Sequence, residues 1–326
     1  MTPGADRLLH GIGGTPLVEL GLDDAERCGA RLFAKLESVN PGGSIKDRPV
    51  ARILRRALSD GSLSAGRRLL DSSSGNAGIS YAQLGAALGV PVTLVVPANA
   101  SRERLQRIAA HGAELVLTDP IEGYDHAIHT ARRLAAERPD LYWYADQYGN
   151  DENWRAHFET TGGEILAQVT AAAGRAPDVF VAGVGTGGTL TGVGRRLRDA
   201  NPGLVVVAVV PELFPGIEGL KPLGRAEDLV PRILDGSLIQ RRVEVTHDEA
   251  AAACRDLARQ GLFVGPSSGA FVLVARRLAR EVPGALVVTV LSDTGERYAS
   301  TDLWDPEGSV REKSLDWLRE PVPLRL

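Results

Sequence analysis

Apolar runs of strand length alternate along the chain with longer stretches in which apolar positions recur every three or four residues. The first spacing suits β-strands and the second suits amphipathic helices. The pattern predicts strands at 31–36, 67–71, 92–96 and 114–118, separated by helices at 50–63, 79–88 and 101–111. After Asn150 it resumes with a helix at 162–173, a strand at 179–182, a helix at 190–199, and strands at 205–210 and 286–291. These strands are near-continuous Val, Leu and Ile instead of alternating with polar residues. Such strands are buried on both faces, which implies parallel sheets covered by helices. Two α/β blocks meeting near residue 150 predict two domains with a cleft between them. No repeat of 20–50 residues and no low-complexity tract interrupts the rhythm, and the Pro-containing tail at 320–326 reads as a frayed end.

Composition narrows the classes of function. The 326 residues suffice for roughly two domains of about 150 each. A net charge of -4, with acidic and basic residues interspersed, gives no footprint for nucleic acid. Only two cysteines are present, Cys28 and Cys254, so neither a disulfide framework nor a zinc site is expected, and a reducing cytoplasm is the expected location. The N-terminal sequence MTPGADRLLHGIGG has no apolar core of a signal peptide, and no apolar stretch approaches the ~20 residues needed to cross a bilayer. Among 37 basic residues only Lys35, Lys46, Lys221 and Lys313 are lysines. A position that keeps lysine where arginine is the rule is a candidate for an amine that must lose its proton.

Four Gly- and Ser-rich segments fall at strand-to-helix junctions: PGGSIKDR at 41–48, SSSGNAG at 72–78, GVGTGGT at 183–189 and GPSSGA at 265–270. Helix N-termini there present free N–H groups and the positive end of the dipole to anions. GVGTGG also fits the dinucleotide fingerprint, with Glu212 beyond it, but Thr186 and Thr189 suit a compact monophosphate; a plain tight turn is the bland reading. Lys46 at a helix N-terminus is electrostatically misplaced, and the same field lowers its pKa toward Schiff-base chemistry; otherwise it is a solvated lysine. Ser72 to Gly78, with Asn76 ahead of a helix near Ile79, can wrap a carboxylate or serve as a serine-rich cap. Ser267 can cap its helix or bond a ring nitrogen. The six histidines are scattered, no metal-ligand spacing appears, and no nucleophile elbow is present.

Taken together and in order, these segments resemble the cysteine synthase (O-acetylserine sulfhydrylase) family of fold-type II pyridoxal-phosphate enzymes. The shared motifs run from GGTPLVEL at 13–20 through NPGGSIKDR, SSGNAGIS, ETTGGEI at 159–165, GVGTGGTLTGVG at 183–194 and GPSSGA to DTGERYAS at 293–300. The resemblance implies a tryptophan synthase β-like α/β fold of two three-layer α/β/α domains with the active site between them. It divides the chain into an N-terminal segment, 1–45, packing with the large domain, a smaller mobile domain at 46–150, and a larger phosphate-binding domain at 151–326. It makes Lys46 the Schiff-base lysine and general base, Asn76 the partner of the ring hydroxyl, and Gly185, Thr186, Gly187, Gly188 and Thr189 the phosphate cup. Ser267 would face the pyridine nitrogen. Ser73, Ser74, Gly75, Asn76, Ala77 and Gln147 would hold the substrate carboxylate, and Lys221 would stand near the leaving group.

The implied reaction is β-replacement on O-acetylserine or O-phosphoserine by sulfide or another sulfur donor, through an aminoacrylate, to give cysteine. Implied partners are the amino-acid substrate and sulfur donor, a second copy of the chain in a homodimer, and serine acetyltransferase or a sulfur-carrier protein. The chain departs from the family pattern in three places. Ala77 stands where threonine is usual, Gly163 where proline is usual, and Asn99 and Ala100 where a lid carries bulkier groups. Ala77 and the altered lid keep open another β-replacement, such as 2,3-diaminopropionate or S-sulfocysteine formation, while Gly163 reads as a local backbone change. A nicotinamide-dependent oxidoreductase using GVGTGG and a non-catalytic binding protein are the readings from other classes.

Overall fold

The structure is a computed structural model that describes residues 3–22, 29–64, 66–73, 75–223 and 230–304. Cys28, Ser74, Lys313 and the 320–326 tail lie outside the described residues. Two sheets organise the chain. The larger has six strands: β1 (Leu17–Leu20), β2 (Arg31–Leu36), β7 (Val179–Gly183), β8 (Val205–Pro211), β9 (Ile239–Val245) and β10 (Leu286–Leu291), in the order β1-β2-β10-β7-β8-β9. Only the β1–β2 pairing is antiparallel. The smaller sheet, wholly parallel, holds β3 (Arg68–Ser72), β4 (Val92–Pro97), β5 (Glu114–Thr118) and β6 (Tyr142–Tyr144) in the order β5-β4-β3-β6.

Strand β3 shows why the apolar runs are continuous. Leu69 packs into one core with Val50, Ile53, Leu54, Ile79, Leu84 and Ile108, while Leu70 points the other way to meet Val95, Ala127 and Ala131. With a side-chain period of two, both faces are covered and both residues must be apolar. The first core belongs to helices α2 (Asp47–Ser59), α3 (Asn76–Leu88) and α4 (Arg102–Ala110), and the second to α5 (Gly123–Glu137). The six-stranded sheet is likewise sandwiched, with α7 (Gly162–Ala173) and α8 (Gly188–Ala200) on one side and α10 (Pro266–Glu281) backed by α9 (His247–Arg259) on the other.

The chain passes between the two cores three times. Helix α1 (Pro3–His10) buries Leu9 in the core of the smaller sheet, whereas β1 and β2 join the larger sheet. Ile45 belongs to the large core and Val50, one helical turn on, to the small one. The last crossing follows Ala145, where α6 (Asp151–Ala156) runs into a π-turn, His157–Thr161, and then into α7. Among the described residues no helix is long and apolar enough to cross a membrane.

Candidate active site

The carboxyl ends of β3, β7, β8 and β10 face a common cleft, the place where parallel α/β sheets present their loops to ligands. The cleft has a volume of about 520 Å3, and Lys46, Asn76, Gly185 and Thr186 line both it and a narrower cavity at its base.

Lys46 is the cap residue of α2, and its loop is anchored on several sides. Ile45 N–H donates to Ser292 O at 2.9 Å, and Ser44 forms a bridge with Asp293, so the turn is stitched to the end of β10. Two residues on, Arg48 is buried between two carboxylates. It meets Glu37 through Nε and Nη2, both at 2.7 Å, and Glu164 through Nη1 and Nη2 at 2.7 and 2.8 Å. Glu164 also takes Lys35 at 2.8 Å and the Gly14 N–H at 3.0 Å. Burial by itself would raise the Glu164 carboxyl, but Arg48 and Lys35 outweigh it and pull it down to about 2. Lys35 is thus a structural lysine, fully buried in this network. Lys46 is not: half-buried, it lines the cavity and the cleft above it. Desolvation pushes its pKa below the ordinary lysine value, with Arg297 adding to the push and Asp293 opposing it.

The glycine cup lies between β7 and α8. Gly187 has φ +86 and caps the helix, a conformation suited to glycine. A Cβ on Gly185 would stand 2.5 Å from Gly219 O, and one on Gly188 would stand 2.0 Å from Asn153 Oδ1. Behind the cup, His157 is buried, bonded through Nδ1 to Thr161 Oγ1 at 3.0 Å and through Nε2 to Thr189 Oγ1 at 3.4 Å. Desolvation, reinforced by the charges of Lys46 and Arg48, holds its imidazole well below the usual range and hence neutral at pH 7.

Asn76 is the first residue of α3, three residues earlier than the apolar spacing predicts. Ser73, Gly75, Asn76, Ala77 and Gln147 all line the cleft; Ser73 Oγ accepts the Gly78 N–H at 3.0 Å and Gln147 Nε2 donates to Ser72 O at 2.9 Å. Ser74 lies outside the described residues. Of the two serines at the start of α10, Ser267 lines the cavity, while Ser268 is spent inside the fold, its Oγ accepting the Ser292 N–H at 2.8 Å. Lys221 reaches the cleft wall, but its Nζ pairs with Asp125 of α5 at 2.9 Å. Sequence reasoning assigned no role to Asp293, Arg297, Tyr298, Arg104 or Glu218. Tyr298 and Glu218 line the cavity, and behind them Asp293 and Arg297 bond to Asn76 while Arg104 pairs with Glu218 and lies over the Tyr298 ring. The motif DTGERY directly after the last strand was the available signal for the first three.

Comparison with known proteins accords with this geometry. The family described as pyridoxal-phosphate dependent enzyme matches residues 8–293. A cysteine synthase of Aquifex aeolicus is 45% identical over 307 residues, covering 92% of both chains. Cysteine synthase B of Pseudomonas aeruginosa is 37% identical over 90% of this chain and 96% of its own. Among solved structures, O-ureido-L-serine synthase matches with a TM-score of 0.85 at 39% identity, covering 96% of this chain and 98% of the other. The cysteine synthase of Entamoeba histolytica matches at 0.82 and 34% identity, covering 91% and 90%.

The chain belongs to the pyridoxal-phosphate-dependent enzymes, and pyridoxal phosphate is its cofactor. Its fold is fold type II, and within that class its relatives include cysteine synthases. The dinucleotide alternative for GVGTGG is thereby set aside, and Glu212 has another use. That carboxylate accepts the His247 N–H at 2.5 Å, at the start of α9, and is not kept for a ribose. The cup fits a monophosphate on structural grounds as well: it has no room for side chains at Gly185 and Gly188, and Thr186 and Thr189 stand within it.

Proposed function

We infer that this protein makes L-cysteine by β-replacement on an activated L-serine, O-acetylserine or O-phosphoserine, with sulfide or another sulfur donor. The observation that carries this reading is the position of Lys46, whose pKa desolvation lowers, in one cavity with Asn76 and the glycine cup. Bound at Lys46, pyridoxal phosphate would supply an electron-withdrawing ring that stabilises negative charge at the substrate's Cα. Gly185 to Thr189 would hold its phosphate, Asn76 its ring hydroxyl and Ser267 its ring nitrogen. A serine at the nitrogen leaves the ring unprotonated, which favours loss of a β-substituent over transamination.

Lys46, displaced by the substrate amine, would take the Cα proton and return it after sulfur has added at Cβ; desolvation lowers its pKa and so favours the free amine this role needs. Ser73, Ser74, Gly75, Asn76, Ala77 and Gln147 would bind the substrate carboxylate, and closure of a mobile smaller domain, 46–150, over the larger one would exclude water. The protein would act as a cytoplasmic homodimer, with serine acetyltransferase or a sulfur-carrier protein as candidate partners.

Lys221 favours one variant of this reading. Its ammonium, held on the cleft wall by an acidic partner, would suit a substrate phosphate, so O-phosphoserine is the second candidate. The solved O-ureido-L-serine synthase keeps a further β-replacement in view. The test begins with the purified protein, which should be yellow, lose its visible band on borohydride treatment, and fail to form that band in Lys46→Ala. A colourless protein would sink the proposal. Titrating the yellow protein with O-acetylserine and then O-phosphoserine identifies the substrate by which one changes the band; no change with either points to the other β-replacements.

A further inference from the structure

The segment after β10 touches the site in a way the β-replacement reading leaves unused. Asp293 is 1% exposed, and its two oxygens have different surroundings. Oδ2 accepts from Asn76 Nδ2 at 2.7 Å and from the Tyr298 hydroxyl at 2.9 Å. Oδ1 has no hydrogen-bond partner among the described residues and lies over Gly265, where a Cβ would stand 2.3 Å from it. On the other side of the same amide, Arg297 Nη1 donates to Asn76 Oδ1, and Nη2 donates to Gly42 O in the turn before Lys46. An anion therefore faces the amide nitrogen and a cation faces the amide oxygen. Rotating the amide by half a turn would set its N–H groups against the guanidinium and its oxygen against the carboxylate, repulsive at both ends. One orientation survives, and in it Nδ2 keeps a single N–H that Asp293 does not occupy.

We propose that Asp293 and Arg297 are positioning residues that lock the Asn76 amide so that its remaining N–H is presented to the cofactor's ring hydroxyl. The proposal rests on the assignment of Asn76 and Lys46 above. Arg297 carries the constraint further, because the same guanidinium ties the asparagine loop to the turn that delivers Lys46. The two loops come from places 30 residues apart in the chain and are held in register by a side chain more than 200 residues away.

A double-mutant cycle between Asp293→Asn and Asn76→Ala tests this. It is read on the position of the visible band of the holoenzyme and on the Kd for pyridoxal phosphate in reconstitution of the apoprotein. Loss of one charge-assisted hydrogen bond should weaken cofactor binding about tenfold in Asp293→Asn and shift the band. In the Asn76→Ala background the same substitution should change Kd by less than about threefold and leave the band where Asn76→Ala put it. Equal effects in both backgrounds, or an unshifted band with unchanged Kd in Asp293→Asn, overturn the proposal. Should Asp293→Asn not fold, Arg297→Gln run through the same cycle approaches the amide from the other side. Wild-type protein without a borohydride-sensitive band would instead refute the cofactor assignment itself, so the two failures are distinguishable.

Discussion

Gly185 and Gly163 are both glycines in family motifs, yet a methyl group would meet different things at each. At Gly185 the obstacle is a backbone carbonyl, Gly219 O, which has no rotamer to move; at Gly163 there is nothing within 4 Å. Gly185→Ala should therefore weaken pyridoxal phosphate binding by at least about tenfold in fluorescence titration, on the scale of about 1.4 kcal/mol per decade. Gly163→Ala, inside α7, should leave binding alone and stabilise the protein by about 0.5–1 kcal/mol in denaturant unfolding. Asp71 provides the pH-dependent case. It is fully buried at the end of β3, and desolvation pushes its carboxyl up to about 7 despite hydrogen bonds from the Ser72 and Gln147 N–H groups. A raised acid is favoured in its protonated form, so its contribution is fully present below the unfolded value near 4 and declines until the pH passes about 7. The difference in unfolding free energy between wild type and Asp71→Asn, measured from pH 4 to 8, should change by a few kcal/mol in that window and level off above it, because protonation in the fold alone is worth about 1.4 kcal/mol for each pH step. A flat difference would show that Asp71 is not neutral in the fold. Lys46, Asn76 and the glycine loop could be proposed from sequence at this scale because turn chemistry is local, and the structure brings them to one cleft. Asp293 could not, because its contact is with an amide 217 residues away.

Strands and helices divided according to how local their signals are. The ranges 31–36 and 286–291 agree with β2 and β10, since a strand buried on both faces announces itself by apolar continuity, and 114–118 agrees with β5, a half-exposed edge strand that its Leu-Val-Leu run still marked. β9, with the sequence IQRRVEV, escaped because it is an edge strand whose exposed positions carry Gln, Arg and Glu; Arg241 pairs with Glu281 there at 2.5 Å. β1 is only four residues long, and α9 escaped although its capping box, Thr246 with Glu249, was readable. The π-turn His157–Thr161 has no apolar period of its own, and its value lies in placing His157 behind the cup. The KDR and TTGGEI motifs gain their meaning from pairing, Arg48 from one with Glu164 from the other. Arg48→Met would leave Glu37 and Glu164 buried without their shared cation, at a cost of about 3–5 kcal/mol. At roughly 2.1 cal/mol/K of unfolding entropy per residue, the apoprotein Tm should fall by about 4–7 °C in a calorimetric scan. A fall of a degree or less would mean that water replaces the guanidinium.

Across the whole molecule, two ion pairs span the cleft: Arg104 of α4 with Glu218, and Asp125 of α5 with Lys221. Each links a helix beside the smaller sheet to the loop that follows β8, and Arg104 also lies over the Tyr298 ring at 5.2 Å. Such partly exposed pairs contribute about 0.2–1 kcal/mol each and are screened by salt. Glu218→Gln combined with Asp125→Asn should therefore raise the KM of the amino-acid substrate a few-fold with a smaller change in kcat. Added salt should reproduce that rise in the wild type but not in the double variant; an unchanged salt response would mean that the pairs do not bias closure. The two-sheet architecture was legible from the alternation of runs, but the threading between cores was not, since apolar spacing does not say which core a residue joins. That threading has a mechanical consequence for Lys46. It stands where the chain leaves one core for the other, between Ile45 and Val50. Points on a rotation axis do not travel, so a swing of one body against the other about this crossing would sweep the cleft walls through ångströms while the amine stayed almost still. The lysine would work like the pin of a pair of scissors, fixed in place while the blades open for substrate and product.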